Sequence, residues 1–262
     1  MPRSIITLTT DFGLSDHFVG VMKGVILGIQ PAAEIVDITH LIEPYRIPEA
    51  GFVIAEAYRF FPKKTVHVVV VDPGVGTARR PILAEAAGQF FVAPDNGVLS
   101  MVLAREKHRV RAITAEKYFL KPVSQTFHGR DVFAPAAAHL AKGVRPASFG
   151  KAISDYMQLD FYKPVRTDKH TWTGIILKID RFGNLITNFH IAEFPIVETR
   201  VFQMRAGAAA TSRLAGTFGE VPFGELFVMV GSAGYLEVAA NQSSAAQMTG
   251  CAVGAPVELM LR

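Results

Sequence analysis

Val66-His67-Val68-Val69-Val70-Val71-Asp72-Pro73-Gly74-Val75-Gly76-Thr77 carries the strongest structural signal in the chain. Apart from His67, residues 66–71 are all β-branched. Such a run is expected of a strand covered on both faces by other elements. It stops abruptly in an aspartate, a proline and two glycines, the residue types that end strands and make tight turns. Ligands in parallel sheets sit beyond the carboxyl ends of the strands, so this turn is a place where chemistry is expected. Gly74-Val75-Gly76 lacks the third glycine of a dinucleotide fingerprint, and no Walker lysine motif occurs anywhere in the chain. Both facts speak against a loop that cradles nucleotide phosphates.

Working outward from this strand, elements alternate. Ser4 to Thr9 and Ile35 to Ile38 read as strands, and residues 18–29 place Phe18, Val21, Met22, Val25 and Ile29 on one helical face before Pro31. Pro48 opens a helix towards Phe61, which Pro62 ends. Gln89 to Ala93 reads as a strand, with helices at Val98 to Arg105 and Val132 to Lys142. This alternation predicts an α/β domain over residues 1–160, with a mostly parallel sheet flanked by helices. Residues 150–172 show no clear periodicity and contain Pro164, which places a linker there. Beyond it come short strands: Gly174 to Asp180, Leu185 to Thr187, Leu226 to Val230, Tyr235 to Val238 and Pro256 to Leu261. Turns rich in glycine and asparagine separate them, predicting a smaller all-β barrel domain over 171–262.

The bulk properties bound the function. Half of the 262 residues are hydrophobic and 19% are charged, a globular composition. No apolar run reaches the roughly 18–20 residues that span a membrane. Met1-Pro2-Arg3-Ser4-Ile5-Ile6 has neither the apolar length nor the cleavage site of a signal peptide. Cys251 is the single cysteine and has no partner for an internal disulfide. A cytoplasmic protein without membrane partners is the expectation. The 27 basic residues against 23 acidic ones are scattered, with short clusters at Lys63-Lys64, Arg79-Arg80 and Arg105 to Arg111. No basic stripe interleaved with aromatics appears, so no nucleic-acid partner is expected.

Polar groups collect at the strand ends. The first strand runs into Thr9-Thr10-Asp11-Phe12-Gly13-Leu14-Ser15-Asp16, the second into Asp37-Ile38-Thr39-His40, the third into Asp72, and the next into Ala93-Pro94-Asp95-Asn96-Gly97. Any one aspartate has a structural explanation as a cap or turn residue. Four at one sheet edge point to a site. Phe127-His128-Gly129-Arg130-Asp131 opens the last helix of the first domain. The helix dipole there favours a neutral imidazole, able to take a proton or orient a water. The bland alternative is a histidine that packs, with Asp131 as N-cap. His17, His40, His67 and His139 show no metal-ligand spacing, and no metal is expected. In the second domain Ile179 to Asn184 with Thr187-Asn188, and Gly231-Ser232-Ala233-Gly234-Tyr235 with Asn241, read as hairpin turns or as an adenine site.

Taken together these segments resemble the S-adenosyl-L-methionine hydroxide adenosyltransferase family, relatives of the fluorinases and chlorinases. The resemblance runs nearly end to end. It rests on Thr10-Asp11-Phe12-Gly13, Val71 to Thr77, Ala93 to Gly97, Thr126 to Asp131, Phe182-Gly183-Asn184 and Gly234-Tyr235-Leu236, in that order. It implies an α/β domain followed by a smaller β-barrel, in homotrimers or dimers of trimers. The family's sites lie between one subunit's first domain and its neighbour's second. It implies a catalytic triad of Asp72, Arg79 and His128, and a ribose-binding carboxylate at Asp11. It puts Asp16, Asp180 and Ser232 near the methionine moiety, Tyr45 against the ribose, and Phe182, Asn184 and Phe218 around adenine. It implies S-adenosyl-L-methionine as the substrate and no cofactor.

The chain departs from the halide-using relatives where it matters for chemistry. They carry a Tyr-Ser pair where His128-Gly129 stands here, and an aromatic in place of Asp72. A carboxylate facing the nucleophile repels halide and suits water. An arginine near the adenine in some halide enzymes is Ala233 here. The expected reaction is therefore hydrolysis to adenosine and methionine by attack of water on the ribose 5′ carbon. Three rivals stand beside it: a metal-dependent hydrolase using the clustered aspartates, a non-catalytic adenosine-binding protein, and a halide-dependent relative.

Overall fold

A computed structural model describes residues 4–262 of the chain. The sequence reading of the N-terminal segment leans on Met1, Pro2 and Arg3, which lie outside the described residues. The chain divides into two compact units, Met1–Leu159 and Asp160–Arg262.

In the first unit the strands are β1 (Ile5–Thr10), β2 (Glu34–Thr39), β3 (Val66–Val70), β4 (Pro81–Ala86), β5 (Gln89–Pro94), β6 (His108–Ala112) and β7 (Ala152–Ile153). The helices are α1 (Phe18–Ile29), α2 (Ile47–Ala57), α3 (Ser100–Arg105) and α4 (Ala134–Ala141). The sheet order is β2-β1-β3-β5-β4-β6-β7. β2, β1, β3 and β5 run parallel, while β4, β6 and β7 join antiparallel to their neighbours. The expected α/β class is present with a mixed sheet, whose parallel half carries the aspartate-bearing strand ends.

The run in β3 is apolar because it is buried on both faces. Val66, Val68 and Val70 join Ile6, Leu8 and Val92 in a core with Met22 and Ile26 of α1 and Ala134, Ala137 and Ala138 of α4. His67 projects to the other face, stacked on Phe91 and edge-on to Phe61. Its Nδ1 meets the Thr7 hydroxyl at 2.7 Å and its Nε2 meets Gln89 Oε1 at 3.3 Å. Burial pushes this imidazole down to about 4, so it is a neutral packed residue.

In the second unit, β8 (Val165–Asp168), β9 (Thr171–Ile179), β10 (Leu185–His190), β11 (Phe202–Ala206), β12 (Ala209–Thr211), β13 (Leu226–Val230), β14 (Tyr235–Ala240) and β15 (Pro256–Leu261) form an antiparallel sheet, with the short helix α5 (Ala245–Thr249) beside it. The order is β12-β11-β15-β9-β10-β14-β13, with β8 on β9. The segment after β12 runs beside β13, with Val228 N–H donating to Arg213 O (2.8 Å) and Ala215 N–H to Val228 O (3.0 Å), which nearly closes the barrel. Leu185, Phe189, Leu236, Val238, Val257 and Leu259 fill its core. Thr187 and Asn188, read as part of a turn, lie inside β10 and serve the barrel: the Thr187 hydroxyl donates to Leu236 O, and Asn188 bonds Ile175 and Phe161. No helix among the described residues is long and apolar enough to cross a membrane.

Candidate active site

The turn after β3 folds Arg79 back onto Asp72. Val75 N–H donates to Asp72 O (3.2 Å), Thr77 N–H to Gly74 O (3.2 Å), and the Thr77 hydroxyl to Gly74 O (2.7 Å). Gly76 has φ +77°. A Cβ at Gly76 would lie 2.2 Å from Gln125 O, so only glycine fits there. Arg79 Nε donates to Asp72 Oδ1 at 3.1 Å, and its Nη2 donates to Oδ2. The pair is thus a two-pronged fork with side chains only 7% and 5% exposed. The guanidinium lies over the Phe133 ring. Its Nη2 is also 3.1 Å from His128 Nδ1. The structure thus brings Asp72, Arg79 and His128 into one cluster from two distant segments.

The cluster fixes its own protonation. A guanidinium only donates, so His128 Nδ1 accepts and the ring proton sits on Nε2. Burial, then the Arg79 charge, hold the imidazole below its usual value, while Asp72 and Asp131 oppose. The neutral ring expected from the sequence thus rests on burial and Arg79. Burial likewise pushes the Asp72 carboxyl up, against the opposing pull of Arg79. His128 precedes a π-helical turn, Gly129–Phe133, that leads into α4. Asp131 lies inside this turn rather than capping it. Fully buried, it pairs with Arg130 and accepts from Ser124 N–H.

Asp72 also lines a cavity of about 300 Å³ with Asp11, Phe12, Phe18, Pro44 and Tyr45. Asp11 Oδ2 accepts from Tyr45 N–H at 3.0 Å, leaving acceptor capacity for a ligand. Burial raises the Asp11 carboxyl, the Tyr45 N–H opposes, and the Asp72 charge adds to the rise. Tyr45 holds φ +69° and its ring is exposed. Of the four strand-end aspartates, Asp11 and Asp72 therefore share a cavity. Asp37 instead pairs with Lys23 and His40, and Asp95 with Arg80 and Met157 N–H. Asp16 is exposed in the loop before α1, outside this cavity lining.

In the second unit Phe182, Asn184 and Phe218 line a cavity of about 390 Å³ with Ala240, Gln242 and Ser243. Phe182 is 78% exposed at the tip of the β9–β10 hairpin. The Asp180 carboxylate accepts from Phe182 N–H, Asn184 N–H and Asn184 Nδ2, so it shapes the hairpin that presents these residues. With its amide group committed to Asp180, Asn184 keeps its carbonyl oxygen as an acceptor. Ser232 is exposed in the β13–β14 turn. Sequence reading missed Glu237 in β14. Its carboxyl abuts Gly231, where a Cβ would lie 1.8 Å from Oε1. Burial first, and the Asp180 charge second, raise it to about 7. The available signal was one acid inside the apolar run Tyr235 to Ala240.

Among the described residues no group of three or more His, Cys, Asp or Glu is placed to hold a metal ion. Comparison with known proteins agrees with the geometry. Residues 6–150 match the model of the SAM hydroxide adenosyltransferase N-terminal domain, and residues 174–258 that of its C-terminal domain. A Salinispora tropica protein named (R)-S-adenosyl-L-methionine hydrolase is 38% identical, the alignment covering 97% of this chain and 96% of that protein. A fluorinase from an Actinoplanes species is 30% identical over 90% of this chain and 91% of its own length. The crystal structure of an uncharacterized conserved protein from Thermotoga maritima superposes with a TM-score of 0.90 at 40% identity, covering 97% of this chain and 99% of that one. The chain belongs to the SAM hydroxide adenosyltransferase family.

Proposed function

We propose that the protein hydrolyses S-adenosyl-L-methionine to adenosine and methionine. The names of its relatives point to the (R)-sulfonium epimer as the form to test first. The observation that carries the reading is the Asp72–Arg79–His128 cluster, whose Asp72 lines the same cavity as Asp11.

The chemistry follows from the groups present. The sulfonium leaves as a neutral thioether and needs no acid. Water oxygen bonds to the 5′ carbon, the carbon–sulfur pair stays on sulfur, and the water must shed a proton. His128 Nδ1 faces Arg79, so its Nε2–H edge can donate to the water but not take its proton. Asp72 is the remaining base, and burial brings its carboxyl closer to neutrality. Arg79 holds the Asp72 carboxylate in place through Nε and Nη2 and sets the charge balance of the cluster. Asp11 accepts from the ribose hydroxyls, Tyr45 lies on the ribose side, and Phe182, Asn184 and Phe218 hold adenine. Asp16, Asp180 and Ser232 serve the methionine end. No cofactor or metal enters this scheme.

The halide reading loses support at Gly129. A Cβ there would lie 3.1 Å from Phe127, 3.2 Å from Met22 and 3.3 Å from Phe12, so a serine hydroxyl has no room without movement. We also propose a cytoplasmic homotrimer or dimer of trimers. The decisive test is incubation of each sulfonium epimer in ¹⁸O-water, with chromatography and mass spectrometry of the products. Label is expected in the adenosine 5′-hydroxyl. Label in methionine, or loss of turnover in chelator, would sink this mechanism.

A further inference from the structure

One buried group outside the triad touches the nucleoside cavity through its frame. His40, at the end of β2, is 3% exposed, and the reaction scheme gives it no role. Its Nδ1 is 2.8 Å from the Thr10 hydroxyl, and its carbonyl accepts from Gly13 N–H at 2.8 Å. Its Nε2 lies 3.0 Å from Asp37 Oδ1, a close but poorly aligned contact, and Asp37 is held in turn by Lys23 at 2.6 Å. Facing a carboxylate, Nε2 keeps the ring proton, and Nδ1 is left as an acceptor. The Thr10 hydroxyl therefore donates to His40, and its lone pairs face Phe12 N–H at 3.3 Å. The chain of donors thus has one direction, from Phe12 through Thr10 and His40 to Asp37.

The residue enclosed by these bonds is Asp11. His40 grips Thr10 on one side of it and Gly13 on the other, and Ile42 N–H adds a bond to Thr10 O at 3.4 Å. Farther along the same segment, Tyr45 N–H reaches the Asp11 carboxylate itself. Residues 40–45 and 10–13 therefore form one cross-linked frame around a carboxylate that must meet two adjacent hydroxyls. A carboxylate displaced by a fraction of an ångström loses one of those two bonds, because hydrogen bonds weaken steeply with misalignment.

We propose that His40 is a positioning residue whose ring holds Asp11 in register with the ribose hydroxyls through the Thr10 hydroxyl, the residue-40 carbonyl holding Gly13 whatever the side chain. This rests on the reading of Asp11 as the ribose-binding carboxylate. The test uses the full-length protein and calorimetry with two probes, adenosine and 2′,3′-dideoxyadenosine. Wild type is expected to prefer adenosine. H40A and T10V should weaken adenosine about tenfold, the scale of one lost hydrogen bond to a charged group, and leave dideoxyadenosine unchanged. H40N, whose amide oxygen replaces the Nδ1 acceptor, should restore most of the preference, whereas H40Q should not. In turnover, KM should rise with kcat nearly constant, since the grip on ribose is the same in ground and transition states. Equal losses for both nucleosides, or wild-type discrimination in H40A, would overturn the role of His40 and leave Asp11 untouched. If H40A does not fold, H40N, H40Q and T10V decide by the same criterion. A wild type that does not distinguish the two nucleosides would remove Asp11 from the ribose site, and His40 with it.

Discussion

Asp72 carries two burdens that pull against each other. Its fork with Arg79 keeps the carboxylate ionised and fixed, while burial raises its basicity. Asp72→Asn keeps the shape and removes the base, so turnover should fall by about 10²-fold or more with adenosine affinity little changed. His128→Ala removes the Nε2 donor and should act in the same direction. In the double variant the losses should not multiply, because both groups serve one water. Steady-state kinetics of the three variants, beside adenosine calorimetry, check this; fully multiplicative losses would mean that the two residues act separately. Glu237 gives a second prediction at this scale. Its carboxyl is raised to about 7 in the fold, against about 4.3 in an unfolded chain. The folded state therefore binds more protons between these values, and stability present at low pH is lost as pH rises through that window. Glu237→Gln mimics the neutral form. It should leave thermal stability at pH 5 near wild type and raise it at pH 8 by about 1–2 kcal/mol, a figure discounted for partial solvent screening. An equal gain at both pH values would count against the raised carboxyl.

The turn from Asp72 to Arg79 is the element that makes the cluster, and Gly76 is its hinge pin. Gly76→Ala combines positive φ with a contact to the Gln125 backbone that cannot be relieved. The expected cost exceeds about 2 kcal/mol, and turnover per folded molecule should drop as Arg79 shifts. Gly143→Ala is the control: φ is +102°, with nothing within 4 Å of the added Cβ, so about 1 kcal/mol of strain is expected without loss of activity. Denaturant melts and assays of both variants separate the effects. Elements with one strong period were legible in the sequence: β1, β3 and β5 as apolar runs, α1 as an amphipathic stripe. The antiparallel strands of the first unit were not. Pro81–Ala86 opens on a proline and is short. His108–Ala112 alternates charge with apolar residues, so its arginines read as solvated surface, although Arg111 pairs with Glu85 across the ladder. The site divided in the same way. Asp72, Arg79 and His128 lie up to 56 residues apart, and resemblance to a family rather than periodicity joined them before the fold did. Which strand-end aspartates face a cavity was illegible, because Asp37 and Asp95 have the same local context as Asp11 and Asp72 and differ only in their long-range partners.

At the scale of the whole molecule, the proposed ligand has two ends, and the residues expected to hold them line two separate cavities, one in each unit. The first presents Asp11, Tyr45 and Asp72; the second presents Phe182, Asn184 and Phe218. Tyr45 and Phe182 are 72% and 78% exposed, and Phe223 is 75% exposed. Large aromatics left in water forgo roughly 1.5–3 kcal/mol each relative to burial, so a surface that covers these rings gains stability. If one subunit's first cavity closes on a neighbour's second, covering these rings and enclosing the substrate are the same event. Assembly and activity should then be linked. Light scattering at micromolar concentration should give the mass of three or six chains. Specific activity should fall on dilution through the range where that mass falls, and saturating adenosine should shift the midpoint to lower protein concentration, because a ligand held by two subunits stabilises their union. Phe182→Ala, which leaves the catalytic cluster intact, should weaken assembly and nucleoside binding together. A monomer with concentration-independent turnover would show that a single chain completes the site by itself, and the proposed sharing between subunits would have to be abandoned.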